Sequence, residues 1–261
     1  MTKKIVALTS MSQNYYDFIG KYFLKSFNKH WKDIPLFVYS EDLIENIENE
    51  NIKVIDWNLG CKERWEDFCS RCDHSSARKF AKKGFTIIDA MKNIDADYIV
   101  WLDSDLISCN SVDRSIIEKL IDDRFVLSIF DQYYLSRKDY TRDDYIKSND
   151  REIWTAETGF FIINKSHHQI NALHDEYLRL YQAKTKPEGL ARWYDCDTLI
   201  MACKNKLQYV NDLSDLKSTP KTQTPINKTW LAKYFQHFKA KSKNHISQEQ
   251  ILKFIENGTM E

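Results

Sequence analysis

Short runs of β-branched and aromatic residues alternate with longer segments of helical period along this chain. This alternation is typical of an α/β fold with a largely parallel sheet. Six runs predict strands: Lys4–Leu8, Leu36–Tyr39, Lys53–Asp56, Tyr98–Leu102, Phe125–Phe130 and Gly159–Ile163. The sequence therefore predicts a mostly parallel sheet that is flanked by helices.

Two sites with the spacing of a capping box predict where later helices begin. Ser166 is followed by Gln169, and Ser247 is followed by Gln250. In a capping box, the serine side chain accepts from the backbone of the third helical residue, whose side chain bonds back. We expect a helix to begin at each serine, and the last helix to end at Gly258.

Composition excludes several classes of protein. The 261 residues include 38 Lys and Arg and 38 Asp and Glu, so the formal net charge is zero. A neutral chain is neither a globally basic nucleic-acid coat nor a wholly acidic solvating chain. The six glycines never stand two positions apart, which excludes a dinucleotide-binding fingerprint, and no Walker loop can be written. A chain of this length is expected to form one domain, or two tightly fused halves.

The apolar runs and the cysteines indicate the cellular compartment in which the protein is expected. No stretch approaches the roughly 18 apolar residues that span a bilayer. We therefore expect no membrane span and a cytoplasmic protein, whose six cysteines stay reduced. Cys69 and Cys72 could bind zinc with His74 and Cys61, but no second CxxC follows at zinc-finger spacing.

The fourth predicted strand, Tyr98–Leu102, runs directly into Asp103, Ser104 and Asp105. Because side chains alternate along a strand, both carboxylates are expected on one face beyond the carboxyl edge of the sheet, where open α/β folds bind ligands. Two carboxylates at this spacing suit a divalent cation. The alternative is a solvated turn or a helix cap, since Asp is common in both.

The segment Asp95–Leu106 resembles the DxD segment of GT-A fold glycosyltransferases, in which a hydrophobic strand ends in the motif that holds the metal and the sugar nucleotide. The preceding helix, Ser75–Met91, is similar to the basic helix that leads into that strand. Three later segments resemble the family in its own order: Glu157–Asn164, Trp193–Leu199 and Tyr234–Lys243.

The resemblance covers residues 4–243 and implies the fold and the domain organisation. It implies the GT-A, or nucleotide-diphospho-sugar transferase, fold with a Rossmann-like sheet. Residues 1–261 would form a single GT-A domain. Residues 1–106 would be the nucleotide-sugar-binding half, and residues 107–261 the acceptor half with a C-terminal lid segment.

The resemblance also implies a metal site made of Asp103, Asp105 and His237, with Mn²⁺ or Mg²⁺ as the cofactor. Asp105 would bind the ion directly, and Asp103 would bind the ion or the ribose hydroxyls. An imidazole ligand suits Mn²⁺ better than Mg²⁺. This chain lacks the glycine that glycogenin-like members place after the histidine, and a histidine among aromatic residues is also compatible with simple packing.

The donor-binding residues implied by the resemblance come from most of these segments. Tyr15 or Tyr16 would stack on the base, and Arg78 and Lys82, one helical turn apart, would face one ligand. A lysine of the C-terminal segment would neutralise the diphosphate: Lys241, with Lys239 and Lys243 as alternatives. The full donor set is Thr9, Tyr15, Arg78, Lys82, Asp103, Ser104, Gly159 and Lys241.

Three carboxylates compete for the reaction centre: Asp195, Asp197 and Glu157. An inverting enzyme needs a general base near the acceptor hydroxyl, whereas a retaining enzyme needs a group beside the anomeric carbon. The Asp195–Asp197 segment is more similar to that of retaining families. The resemblance therefore favours a retaining reaction.

The predicted activity is that of a hexosyltransferase, which moves a sugar from a UDP-sugar to a glycan or another hydroxyl acceptor. The tyrosine-containing loop Gln132–Arg151 would bind the acceptor. Two alternatives stay open: a nucleic-acid-binding module that uses the lysine-rich segment Lys217–Lys243, and a D-x-D phosphatase. Nucleic acid is not the expected partner, although a DNA base stays open as an acceptor.

Overall fold

The computed structural model describes residues 2–42, 47, 49–131, 155–188, 190, 193–203, 210–213, 225–239 and 246–258. The predicted acceptor loop, Gln132–Arg151, lies outside these residues, as do the two ends of the lysine-rich segment, including Lys241 and Lys243.

The described residues form nine strands and nine α-helices. The strands are β1 (Ile5–Met11), β2 (Leu36–Ser40), β3 (Ile52–Asp56), β4 (Tyr98–Leu102), β5 (Leu106–Ser108), β6 (Val126–Asp131), β7 (Thr155–Asn164), β8 (Val210–Asp212) and β9 (Phe235–His237). The α-helices are α1 (Gln13–Tyr15), α2 (Lys21–His30), α3 (Trp57–Gly60), α4 (Lys62–Arg71), α5 (Ser75–Asn93), α6 (Arg114–Leu120), α7 (Ile170–Gln182), α8 (Asp195–Ala202) and α9 (Gln248–Asn257). None of the helices in the described part of the chain is long and apolar enough to cross a bilayer.

Seven of these strands form one sheet in the order β3-β2-β1-β4-β7-β6-β8. Strand β7 runs antiparallel to both of its neighbours, β4 and β6, whereas the other pairings are parallel. The prediction of a mostly parallel sheet flanked by helices is confirmed. The predicted first strand is too short, because β1 continues to Met11 and contains Thr9. Strands β5, β8 and β9 have three residues each, which is too short to show a period in the sequence.

The central strand β4 places side chains alternately in two apolar layers. Ile99 and Trp101 pack with α5, α7 and α8 on one face of the sheet. Val100 and Leu102 belong to a second core with α2 and α9. Because helices cover both faces, β4 is buried along its whole length. The polar residues Asp103, Ser104 and Asp105 follow directly after its carboxyl end.

Strands β5 and β9 form a separate antiparallel pair beside the end of β4. In their register Leu106 lies opposite His237, and the backbone N–H of Phe238 donates to the carbonyl of Asp105 over 3.0 Å. Residues that are 132 positions apart in sequence thereby become neighbours.

One predicted capping box is confirmed and the other is wrong. Ser247 and Gln250 form both bonds of the box, and α9 ends at Gly258 in the left-handed conformation. Helix α7 instead begins at Ile170 with no side-chain cap. Ser166 fails as a cap because its hydroxyl donates to Asp97 Oδ1 over 3.0 Å, which ties the end of β7 to the start of β4.

We expect Gly84→Ala to destabilise the protein by about 2 kcal/mol through overpacking, although alanine has the higher helix propensity. Gly84 lies inside α5, and an added Cβ would lie 2.2 Å from Cε2 of the Tyr181 ring on α7. Urea unfolding measures the change. In a Tyr181→Leu background the loss should be smaller, because the clashing ring is absent. Unchanged or greater stability of Gly84→Ala would contradict the packing of α5 on α7.

Candidate active site

A cleft of about 500 Å³ lies at the carboxyl ends of β1, β2 and β4. Its walls come from the end of β1, from Glu41 after β2, from one face of α5 and from the residues that follow β4. This is where parallel α/β sheets bind ligands. The volume falls in the range of small-molecule sites.

Asp103 lines this cleft and lies beside Asp105 and His237, which are buried and are not among the lining residues. One potential ligand atom from each residue lies within 4.8 Å of the others, and no second cluster of three such residues occurs in the described part of the chain. His237 Nε2 lies 3.0 Å from Asp105 Oδ1 and 3.7 Å from Asp103 Oδ2. Two carboxylates and one imidazole form a donor set that fits a divalent cation such as Mn²⁺.

The packing around His237 requires a glycine. A Cβ on Gly159 would lie 2.2 Å from His237 Cε1, so a side chain at this position would displace the imidazole. The Gly159 carbonyl also accepts from the backbone N–H of Asp103 over 2.9 Å. Gly159 therefore positions both the histidine and the start of the D-x-D turn, and its contact with the donor stays a prediction.

Tyr15 contacts the cluster from the other side. Its hydroxyl donates to Asp105 Oδ2 over 2.7 Å. Burial, together with the adjacent Asp105 carboxylate, holds the pKa of Tyr15 well above its ordinary value, so the phenol stays a hydrogen-bond donor. This side chain was predicted to stack on a base, and the structure brings it to the carboxylates as well as to the cleft wall.

Lys83 is the cation that joins two acidic segments. Its Nζ lies 2.7 Å from Asp103 Oδ1 and 2.9 Å from Asp195 Oδ2. Burial opposes the charge on Lys83, but the carboxylates of Asp103 and Asp195 outweigh it and raise the pKa of Lys83. Burial likewise opposes the charge on Asp195, yet Lys83 and the Thr158 hydroxyl, 2.7 Å from Asp195 Oδ2, lower the pKa of Asp195. The pair is therefore fully charged at neutral pH.

Trp101 fixes the same end of Asp103. Its indole Nε1 donates to Asp103 Oδ1 over 2.8 Å, and the ammonium of Lys83 lies 4.9 Å from the centre of its ring. Asp103 Oδ1 is held by these two donors, and Oδ2 faces His237. The carboxylate is thus oriented before any ligand binds.

Glu157 and Lys239 form a second ion pair beside the cluster, in which Glu157 is buried and Lys239 is partly exposed. Lys239 Nζ lies 2.6 Å and 2.8 Å from the two carboxylate oxygens of Glu157. Burial opposes the charge on Glu157, but Lys239 and then His237 outweigh it and lower the pKa of Glu157. Glu157 is only 2% exposed and is absent from the cleft wall, although it was predicted as a candidate reaction-centre carboxylate.

The remaining predicted residues divide into two groups. Lys82, which pairs with Glu41, and Ser104, which donates to the Ser10 carbonyl over 3.2 Å, both line the cleft. Thr9 is fully buried inside β1, and Arg78 is turned toward the Cys72 carbonyl and Asp73, so neither lines the cleft.

Asp197 and Lys241 are the two remaining residues that the sequence predicted for the site. Asp197 is buried in the first turn of α8, and of the two aspartates there Asp195 lines the cleft. Lys241 lies outside the described residues, and its alternative Lys239 pairs with Glu157.

Lys83 was missed by the sequence reasoning, which paired Arg78 with Lys82. A signal for it exists, because Lys79, Lys82 and Lys83 follow the three- and four-residue spacing of one helix face, and all three line the cleft. Helical period alone does not say which of two basic faces turns toward the sheet.

Comparison with solved structures identifies the fold as GT-A. The bifunctional glycosyltransferase WbbM aligns over 82% of this chain and 39% of its own length, with 14% identity and a TM-score of 0.55. Mouse xyloside xylosyltransferase 1 aligns over 80% of this chain and 85% of its own, with 12% identity and a TM-score of 0.53. The chain thus spans about two fifths of WbbM but most of the mouse protein.

The galactosyltransferase LgtC, solved with donor and acceptor sugar analogues, is a third similar structure. It shares 17% identity with this chain, covers 80% of it and 73% of its own length, and gives a TM-score of 0.51. No protein-family model matches the sequence, and a comparison with curated proteins gives no match either.

We expect Lys83→Met to lower the free energy of unfolding by about 3 kcal/mol, because it leaves Asp103 and Asp195 without their shared cation. Lys79→Met is the matched control, since Lys79 lines the same cleft from the same helix but is exposed. Its effect should stay within about 0.5 kcal/mol. Denaturant unfolding of both variants measures the difference, and equal stabilities would contradict the bridging role of Lys83.

Proposed function

We propose that this chain is a metal-dependent glycosyltransferase that moves a sugar from a nucleotide-diphosphate donor, with UDP as the favoured nucleotide, to a hydroxyl acceptor. The observation that carries the proposal is the Asp103, Asp105 and His237 cluster at the carboxyl edge of a GT-A sheet. The three similar solved structures are named as glycosyltransferases, which favours this function over a phosphatase or a nucleic-acid-binding module.

The charge balance of the site supports a bound divalent cation. Carboxylates outnumber lysines in the ion pairs that the structure describes at this site: Lys83 pairs with Asp103 and Asp195, and Lys239 pairs with Glu157. The fourth carboxylate, that of Asp105, lies beside the imidazole of His237. Mn²⁺ or Mg²⁺ held by Asp103, Asp105 and His237 would offset this excess, and when bound would stabilise the negative charge of a departing diphosphate.

The cleft suggests how a donor would lie. Its wall carries Lys79 and Lys82 on α5, while Asp103 and Ser104 lie at its floor. A nucleotide could rest between the ends of β1 and β2 and α5, with its diphosphate directed toward Asp103. Lys239 or Lys241 would supply a further cation for the diphosphate as it leaves.

Asp195 is our candidate for the carboxylate of the reaction centre, since it lines the cleft and shares the ammonium group of Lys83 with Asp103. Its lowered pKa makes it a poor proton acceptor at neutral pH. A fixed negative charge instead suits the stabilisation of an oxocarbenium-like sugar. This favours a retaining reaction over one that needs a general base.

The acceptor side stays a prediction of the sequence. We propose a glycan or another hydroxyl compound as the acceptor, with a DNA base as the remaining option, and the loop Gln132–Arg151 as its binding segment. A single domain with a donor half, an acceptor half and a C-terminal lid, and a cytoplasmic location, belong to the same proposal.

We expect Mn²⁺ together with UDP to raise the melting temperature of the wild-type protein by about 5 °C at concentrations well above the dissociation constants. Asp105→Ala should remain folded but lose this shift and the transfer of sugar from a UDP-sugar, because it removes a cation ligand. Asp95→Ala is the control, since it removes the same charge from an exposed position before β4. A full shift and full transfer in Asp105→Ala would contradict the site.

A further inference from the structure

His237 presents only one of its two ring nitrogens to the cation cluster. Nε2 faces Asp103 and Asp105, whereas Nδ1 lies on the opposite side of the ring. Nδ1 is buried and has no hydrogen-bond partner among the described residues. A buried polar atom without a partner is costly, so this atom points to a second state of the site in which a partner is present.

The carboxylate of Glu157 lies near Nδ1. Glu157 Oε1 lies 3.7 Å from Nδ1, just beyond hydrogen-bond range. That oxygen also accepts from Lys239 Nζ over 2.6 Å and from the backbone N–H of Gly159 over 2.8 Å. The carboxylate of Glu157 is therefore held by two donors, and its Oε1 faces the imidazole.

A cation at Nε2 changes which nitrogen of His237 carries the proton. Without the ion, Nε2 lies 3.0 Å from a carboxylate oxygen of Asp105, which can only accept, so Nε2 bears the proton. A metal ion needs the lone pair of Nε2. When the ion takes this lone pair, Nε2 gives its proton to water, and the single proton of the ligating ring is carried by Nδ1, supplied from water where Nδ1 does not already hold it.

We propose that Glu157 is a positioning residue that accepts the Nδ1 proton of His237 and thereby holds Nε2 ready for the divalent cation. This inference rests on the metal site of the proposed function. Ligating histidines generally donate their other ring N–H to a carboxylate, carbonyl or water, which fixes the tautomer and the ring orientation. A movement of about half an ångström brings Glu157 into the required range.

Lys239 controls whether the carboxylate of Glu157 is free to accept from His237 Nδ1. In the structure it binds both oxygens of Glu157, and it has 31% of its side chain exposed. When an anionic ligand attracts Lys239, Glu157 Oε1 loses one of its donors and is free to accept from Nδ1. Binding of the diphosphate and orientation of the metal ligand would then favour each other.

Calorimetric titration with Mn²⁺ alone, without nucleotide, tests the role of Glu157. Glu157→Leu should weaken Mn²⁺ binding by roughly 10- to 100-fold, as expected for the loss of such a partner. Glu157→Gln should stay close to the wild type, because its amide oxygen still accepts from Nδ1. Lys239→Met should not weaken binding, since it breaks the ion pair but keeps the carboxylate.

Three results would overturn the inference. Wild-type affinity in Glu157→Leu would remove the role of Glu157 and leave the metal site standing. Equal losses in Glu157→Leu and Lys239→Met would assign the effect to the ion pair rather than to His237. A wild-type protein that does not bind Mn²⁺ would refute the proposed metal site and this inference together.

Nitrogen-15 NMR of the histidine side chains tests the same proposal on the wild-type protein. The His237 signals are assigned by their absence in His237→Asn. With saturating Mg²⁺, Nδ1 should carry the proton and Nε2 should not. An Nε2 that keeps its proton in the Mg²⁺ complex would overturn the proposal, even if the Glu157 variants fail to fold.

Discussion

Repulsion among carboxylates at the end of β4 is the constraint on which the rest of the site depends. Ion pairs connect four carboxylates there, those of Asp103, Asp105, Glu157 and Asp195. Asp103 is partly buried, and the other three are buried. Buried like charges would raise one another's pKa unless cations neutralise them. Two lysines supply part of that charge, and the proposed divalent ion supplies the rest.

The fold holds this group together by joining distant parts of the chain. The pairing of β5 with β9 brings His237 beside Asp105, and the absent side chain of Gly159 leaves room for the imidazole. Lys83 connects the end of β4 to the start of α8 through Asp103 and Asp195. The side chains proposed to bind the metal are therefore oriented by contacts with residues that do not bind the metal themselves.

Local patterns predicted the fold and the D-x-D edge, since alternating side chains and the Ser247 capping box depend on neighbouring residues only. Features set by tertiary contacts were not predictable in this way. Which basic face of α5 turns inward, Arg78 or Lys83, is decided by packing against the sheet, and Ser166 is diverted from its helix by Asp97. The place of Glu157 behind His237 also depends on the register of β9, whose three residues show no period.

A crystal structure with Mn²⁺ and UDP, with the ion located by its anomalous scattering, tests the central claim most directly. The account predicts an anomalous peak within bonding distance of carboxylate oxygens of Asp103 and Asp105 and of His237 Nε2, with the diphosphate on its cleft side. A diphosphate bound in the cleft with no peak at these residues, or a peak at another cluster, would contradict it.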